Sequence, residues 1–123
     1  MYLRYHTAHP SQPDVQKHPL QVRLLLFYAS SLIVPAVTIY EVFKVVLREA
    51  TENEALQAVA SMQKGKVIDL SASIAMNASI LSLKHNLPMA DSIILSTARA
   101  YKCIIWTQDS DFLNIEGVKY FPK

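Results

Sequence analysis

Residues 87–112 read LPMADSIILSTARAYKCIIWTQDSDF, a helix signal followed at once by an apolar strand and an acidic loop. Pro88 suits the first turn of a helix, where its missing N–H costs nothing, and Asp91 shortly after it sets a carboxylate against the positive end of the helix dipole. Ile93, Ile94, Ser96, Thr97, Ala98 and Ala100 continue a compact helix whose small residues allow close packing on a sheet. Cys103-Ile104-Ile105-Trp106-Thr107 then predicts a short strand buried on both faces. This strand empties into Gln108-Asp109-Ser110-Asp111-Phe112, and in open α/β sheets the loops after the carboxyl ends of strands carry the chemistry. Each acid also has a purely structural reading. Asp91 would serve the helix dipole, and Asp109 or Asp111 would cap a tight turn.

Upstream, Leu32-Ile33-Val34 predicts a strand, and after Pro35 the periodicity turns helical. Val37, Tyr40, Val42, Phe43, Val45, Val46 and Leu47 cover a broad apolar face, with Glu41 near its start. Thr38-Ile39-Tyr40-Glu41 fits a capping box, which would turn Glu41 back onto the helix-start backbone; otherwise its carboxylate is free for a site. Thr51-Glu52-Asn53-Glu54 is a second capping box, opening a helix through Met62 with Gly65 as its stop. Lys66-Val67-Ile68-Asp69-Leu70 predicts a strand with Asp69 facing outward. Ser71 caps a helix that carries Ile74, Met76, Ile80, Leu81 and Leu83 as far as Asn86. Strands alternating with helices predict a parallel sheet covered on both faces.

At 123 residues and 51 % hydrophobic, residues 1–123 are expected to form a single domain with a core of useful size. A formal charge of +2 tolerates a polyanion but falls short of a dedicated basic stripe. With one cysteine, Cys103, inside an apolar strand, no internal disulfide is possible. The uncharged run over residues 24–40 barely reaches the ~17 residues of a membrane span, and Ser30, Ser31, Pro35 and Thr38 break it. We therefore expect no membrane association and a cytoplasmic location. Residues 1–21, rich in His, Pro and Gln and without apolar periodicity, predict an irregular arm; residues 22–28 suit a short helix. His6 and His9 have one-turn spacing, but Pro10 and Pro13 argue for a solvated arm over a metal site. Only two glycines argue against a phosphate-cradling loop.

Two segments together resemble the PIN domains, particularly toxin ribonucleases of the VapC type. One is Met89-Ala90-Asp91-Ser92-Ile93-Ile94 followed by Thr107-Gln108-Asp109-Ser110-Asp111-Phe112; the other is Ile33-Val34-Pro35-Ala36-Val37-Thr38-Ile39-Tyr40-Glu41-Val42. Ile115-Glu116-Gly117-Val118-Lys119-Tyr120-Phe121 resembles that family's last turn and edge strand. The resemblance implies a three-layer α/β fold with a central, mostly parallel sheet flanked by helices. It also implies that Glu41, Asp91 and Asp109 act catalytically and hold Mg²⁺ or Mn²⁺ with Asp111 assisting, while Thr107 supports them at the strand end. Carboxylates brought together repel one another, and a hard divalent cation with oxygen ligands holds them ionised.

The implied function is a metal-dependent ribonuclease toxin that hydrolyses RNA, pairs with an antitoxin protein and forms a homodimer. PIN domains begin with a strand ending in an Asp, and no such segment precedes Met1-Tyr2-Leu3-Arg4-Tyr5. The expectation is a PIN-like fold with its first strand missing and its first acid absent. Asp14, between Pro13 and Val15 in the arm, is a poor substitute because flexible loops preorganise sites badly. The alternative function is a catalytically inactive PIN-like remnant that binds a partner protein.

Overall fold

The computed structural model describes residues 2–4 and 32–122. In chain order these form β1 (Tyr2–Arg4), β2 (Leu32–Pro35), α1 (Ala36–Glu49), α2 (Glu52–Met62), β3 (Lys66–Ile68), α3 (Ala72–His85), α4 (Met89–Ala100), β4 (Ile104–Thr107) and β5 (Val118–Tyr120). A 3₁₀ turn, Ser110–Phe112, lies between the last two strands. The sheet order is β3-β2-β1-β4-β5. β2 pairs in parallel with β3, and β4 with β5, while β1 runs antiparallel to both β2 and β4. Four of the five strands therefore share one direction and one carboxyl edge.

The central strand corrects the expectation of an irregular arm at the start of the chain. Tyr2–Arg4, assigned to an irregular arm, occupies the slot between β2 and β4, with Leu3 opposite both Ile33 and Ile105. Without it β2 and β4 would each present an unpaired backbone edge inside the sheet, and buried N–H and C=O groups are costly to leave unmade. The remainder of the expected arm, with His6, His9 and Asp14, and the helix expected over residues 22–28 lie outside the described residues.

Strand alternation sends successive side chains of β2 to opposite faces, and all four of its residues are buried. Ile33 joins a core with Ile74, Leu81, Ile94, Leu95 and Ile105, under α3 and α4. Leu32 and Val34 join Val42, Val46, Ala55, Ala58 and Met62, under α1 and α2. This is the three-layer arrangement expected from alternating strands and helices. In α4 every residue from Asp91 to Ala98 is buried, because the helix is wedged between the sheet and α3. Ser96 fits there because its hydroxyl donates to the Ile74 carbonyl at 2.8 Å, so a buried polar group leaves no orphan.

Several local signals act as expected. Thr51 accepts the Glu54 N–H at 3.1 Å and Ser71 the Ile74 N–H at 3.2 Å, each closing the start of a helix. Others differ. The helix opened by Thr51 stops at Met62 with a right-handed cap at Gln63, so Gly65 is not its left-handed stop. β4 is also not buried on both faces, since Ile104 is 48 % exposed while Ile105 is fully covered.

Candidate metal centre

The helix that carries Glu41 starts earlier than the capping box predicts. α1 begins at Ala36 directly after Pro35, and Thr38, already inside it, donates its hydroxyl back to the Pro35 carbonyl at 2.6 Å. Its oxygen therefore does not cap the helix, and among the described residues no hydrogen bond draws Glu41 back to the helix start. The half-buried Glu41 carboxyl sits above its ordinary range, raised by burial and by the neighbouring Asp109 charge against the opposing positive charge of the amino terminus. A charge on α1, over one face of the sheet, thus feels the loop after β4.

Asp91 enters the same region from the other layer, in the first turn of α4. It is only 6 % exposed, and its carboxyl is pushed up from 3.8 to about 7. Burial is the main cause, followed by the charges of Asp109, Glu41 and Asp111. The direction rules against a simple dipole partner. A helix N-terminus favours the ionised form by about 0.3–1 kcal/mol, whereas each pKa unit corresponds to ~1.4 kcal/mol, so burial and like-charge repulsion prevail over the dipole here.

The loop after β4 is built to present acids. Thr107, 1 % exposed, accepts the Asp109 N–H on its hydroxyl at 2.9 Å, and Asp109 accepts the Asp111 N–H on Oδ1 at 2.9 Å. Phe112, fully buried, anchors the turn in the core. The Phe121 N–H donates to the Thr107 carbonyl at 3.0 Å, and Gln108 Nε2 to the Pro122 carbonyl at 3.4 Å, so the segment after β5 braces the loop. Sequence reading missed this brace because the register of β4 against β5 leaves no local signal. Asp109 does cap a turn, as its structural reading supposed, and one of its carboxylate oxygens remains for other work.

Asp91, Asp109 and Asp111 each offer a carboxylate oxygen, and these oxygens lie within 4.8 Å of one another. Glu41 is coupled to this group electrostatically and is not part of that close set. Asp69 is exposed and is not part of that group. Such a set of hard oxygen donors suits a divalent cation, whose charge would offset the repulsion. Cys103 is buried, with its thiol pushed up by burial, and stands apart as a core residue.

The sequence profile of the PIN domain family matches residues 15–118. The chain is also similar to a solved structure, a toxin-antitoxin complex from Klebsiella pneumoniae, at 24 % identity and a TM-score of 0.65 over 74 % of this chain and 75 % of that one. No curated protein matches.

Proposed function

The chain belongs to the PIN domain family, and from that premise we propose that it is a divalent-metal-dependent ribonuclease of a toxin–antitoxin pair, cleaving RNA phosphodiester bonds. PIN domains are generally nucleases. The observation that carries the reading is the trio Asp91, Asp109 and Asp111, with oxygens within 4.8 Å at the carboxyl edge of the sheet. Bound Mg²⁺ or Mn²⁺ would supply positive charge to the phosphate and acidify a water. Asp91 and Asp109 would hold that ion with Asp111 assisting, and Glu41, from the opposite layer, would orient the attacking water. Thr107 positions Asp109 through its backbone N–H. Support for an antitoxin comes from the structural neighbour, and for self-association from the exposed apolar residues Tyr40 and Leu47 on α1. Among the described residues no helix is long and apolar enough to cross a membrane, and we place the activity in the cytoplasm.

The test is cleavage of single-stranded RNA with Mn²⁺, with EDTA, and by the Asp91→Asn variant. Cleavage that EDTA and the substitution both abolish supports the proposal, and cleavage indifferent to both sinks it. One observation favours a second reading, an inactive module that binds a partner protein: the central strand Tyr2-Leu3-Arg4 brings no carboxylate to the edge. In that case metal and RNA give no cleavage while an antitoxin still binds.

A further inference from the structure

Beside the acidic loop, the carboxyl end of the edge strand gathers aromatic rings around a lysine. Trp106 on β4 lies opposite Lys119 on β5, and Lys119 Nζ stands 5.6 Å from the centre of the indole ring. Phe121 meets Trp106 edge-on, with ring centroids 6.4 Å apart. Tyr120 projects from the other face of β5 and is 37 % exposed. Trp106 and Phe121 are half-buried and Lys119 is exposed; Ile104, on the face of β4 that Trp106 shares, is 48 % exposed. Lys119 and Ile104 therefore leave part of this face open to solvent, while Trp106 is already engaged there.

This shelf is tied to the candidate metal centre through Thr107. Thr107 accepts the Phe121 N–H on its carbonyl and the Asp109 N–H on its hydroxyl. At roughly 3.3 Å per residue, three residues of extended chain from Trp106 to Asp109 span at most about 10 Å. A strand of nucleic acid lying on the acids toward β5 would cross the rings next.

Resting on the ribonuclease reading, we propose that Lys119, Phe121 and Trp106 form a subsite for single-stranded RNA, in which Phe121 stacks a nucleobase flanking the scissile phosphate and Lys119 contacts the adjoining phosphate. Single-strand binders combine aromatic platforms with a cation that tracks the backbone, and this arrangement supplies both. The shelf also compensates for a site that is itself anionic. Three clustered carboxylates repel a phosphodiester until a cation is bound, so attraction has to come from beside them. An exposed cation–π contact such as that of Lys119 on Trp106 is weak enough to be exchanged for a phosphate. The stacking is sequence-tolerant because every base has a π-face, so the subsite sets the strandedness of the substrate more than its sequence.

Trp106 is the only tryptophan of the chain, which makes it a built-in reporter. The experiment titrates the Asp91→Asn protein with hexauridylate and follows tryptophan fluorescence, with Lys119→Ala and Phe121→Ala added in the same background. The expected result is saturable quenching, weakened about tenfold by Phe121→Ala. Lys119→Ala is expected to weaken binding and to reduce the slope of log affinity against log salt by about 0.7. Lys119 is exposed, so its variant folds even if Phe121→Ala does not. Absence of quenching, or unchanged affinity and salt slope in Lys119→Ala, overturns the subsite. The two readings separate cleanly: metal-dependent cleavage with a KM untouched by Lys119→Ala keeps the ribonuclease and removes the shelf, whereas shelf binding without cleavage by the unmodified chain does the reverse.

Discussion

Replacing Asp91 by Asn keeps the shape of a buried side chain and removes its charge, so the ion-free protein should become more stable as its activity disappears. The carboxyl is raised from 3.8 to about 7, and at ~1.4 kcal/mol per unit the ceiling is roughly 4 kcal/mol. Solvent at the open edge screens the charges, and about half of that, ~2 kcal/mol, is the working figure. The sign follows from where protons are bound. Between 3.8 and about 7 the folded chain keeps a proton that the unfolded chain has lost, so stability falls as pH rises through that window and stays reduced above it. The Asn variant escapes this loss. It should exceed the parent by ~2 kcal/mol near pH 8, or roughly 6–10 °C in Tm for a chain of this size, by about a third of that near pH 5, and not at all below 3.8. Thermal melts in EDTA across that range measure the difference. Mn²⁺ should then raise the Tm of the parent alone, since only the parent has the full set of ligands. An Asn variant that melts below the parent near pH 8, or a difference that does not change with pH, would refute the electrostatic account of the site.

Three further outcomes are expected. Because Asp91 must lose its proton to bind a cation, Mn²⁺ affinity and RNA cleavage should rise as pH increases through about 7, and a flat profile there would show that Asp91 is not a ligand. Thr107→Val removes the acceptor of the Asp109 N–H in a 1 %-exposed position; it should cost about 1–3 kcal/mol by denaturant melt and lower kcat more than it raises KM, while an unaffected kcat would leave Thr107 only structural. Leu47→Glu on α1 should convert a self-associated chain to monomer in sedimentation, while Leu83→Glu probes the rival stripe Met76, Ile80 and Leu83 on α3; a monomeric unmodified chain at micromolar concentration would end the proposal.

The helices and the edge strand were legible because their signals are local. Ser71 and Thr51 announce helix starts, and the left-handed cap at Asn86, φ 55°, closes α3 where the sequence placed its end. The acids were legible for a different reason: Asp91 opens the helix that leads into β4 and Asp109 lies in the loop that leaves it, so one helix–strand unit brings them together. Glu41 was ambiguous, since a capping box and a site carboxylate share one pattern, and only the helix start at Ala36 separates them. β1 was illegible. Three residues show no periodicity, and their place is set by partners about 30 and 100 positions away in the chain, Ile33 and Ile105. Long-range pairing of that kind has no sequence-local signature.

The position of β1 has a consequence for the site. Glu41 follows β2, whereas Asp91 and the 109–111 loop flank β4, and in the sheet order these two strands touch only through β1. Glu41 is thus carried on one side of β1 and the other acids on the other, so the strand, together with the direct contact of α1 with α4, should hold the electrostatic coupling of Glu41 to Asp91 and Asp109. Leu3→Pro tests this. In a strand paired on both sides every N–H faces a neighbour, and proline removes one ladder bond at a cost of about 1–3 kcal/mol for the partner left unmade. The control is Ile94→Ala, fully buried on the inner side of α4, which should cost a similar or larger 2–5 kcal/mol without touching the strand. At a temperature where both variants are equally folded, Leu3→Pro should retain far less Mn²⁺-dependent cleavage than Ile94→Ala. Equal residual activity would mean that stability alone governs the site and that the central strand does not align its two halves.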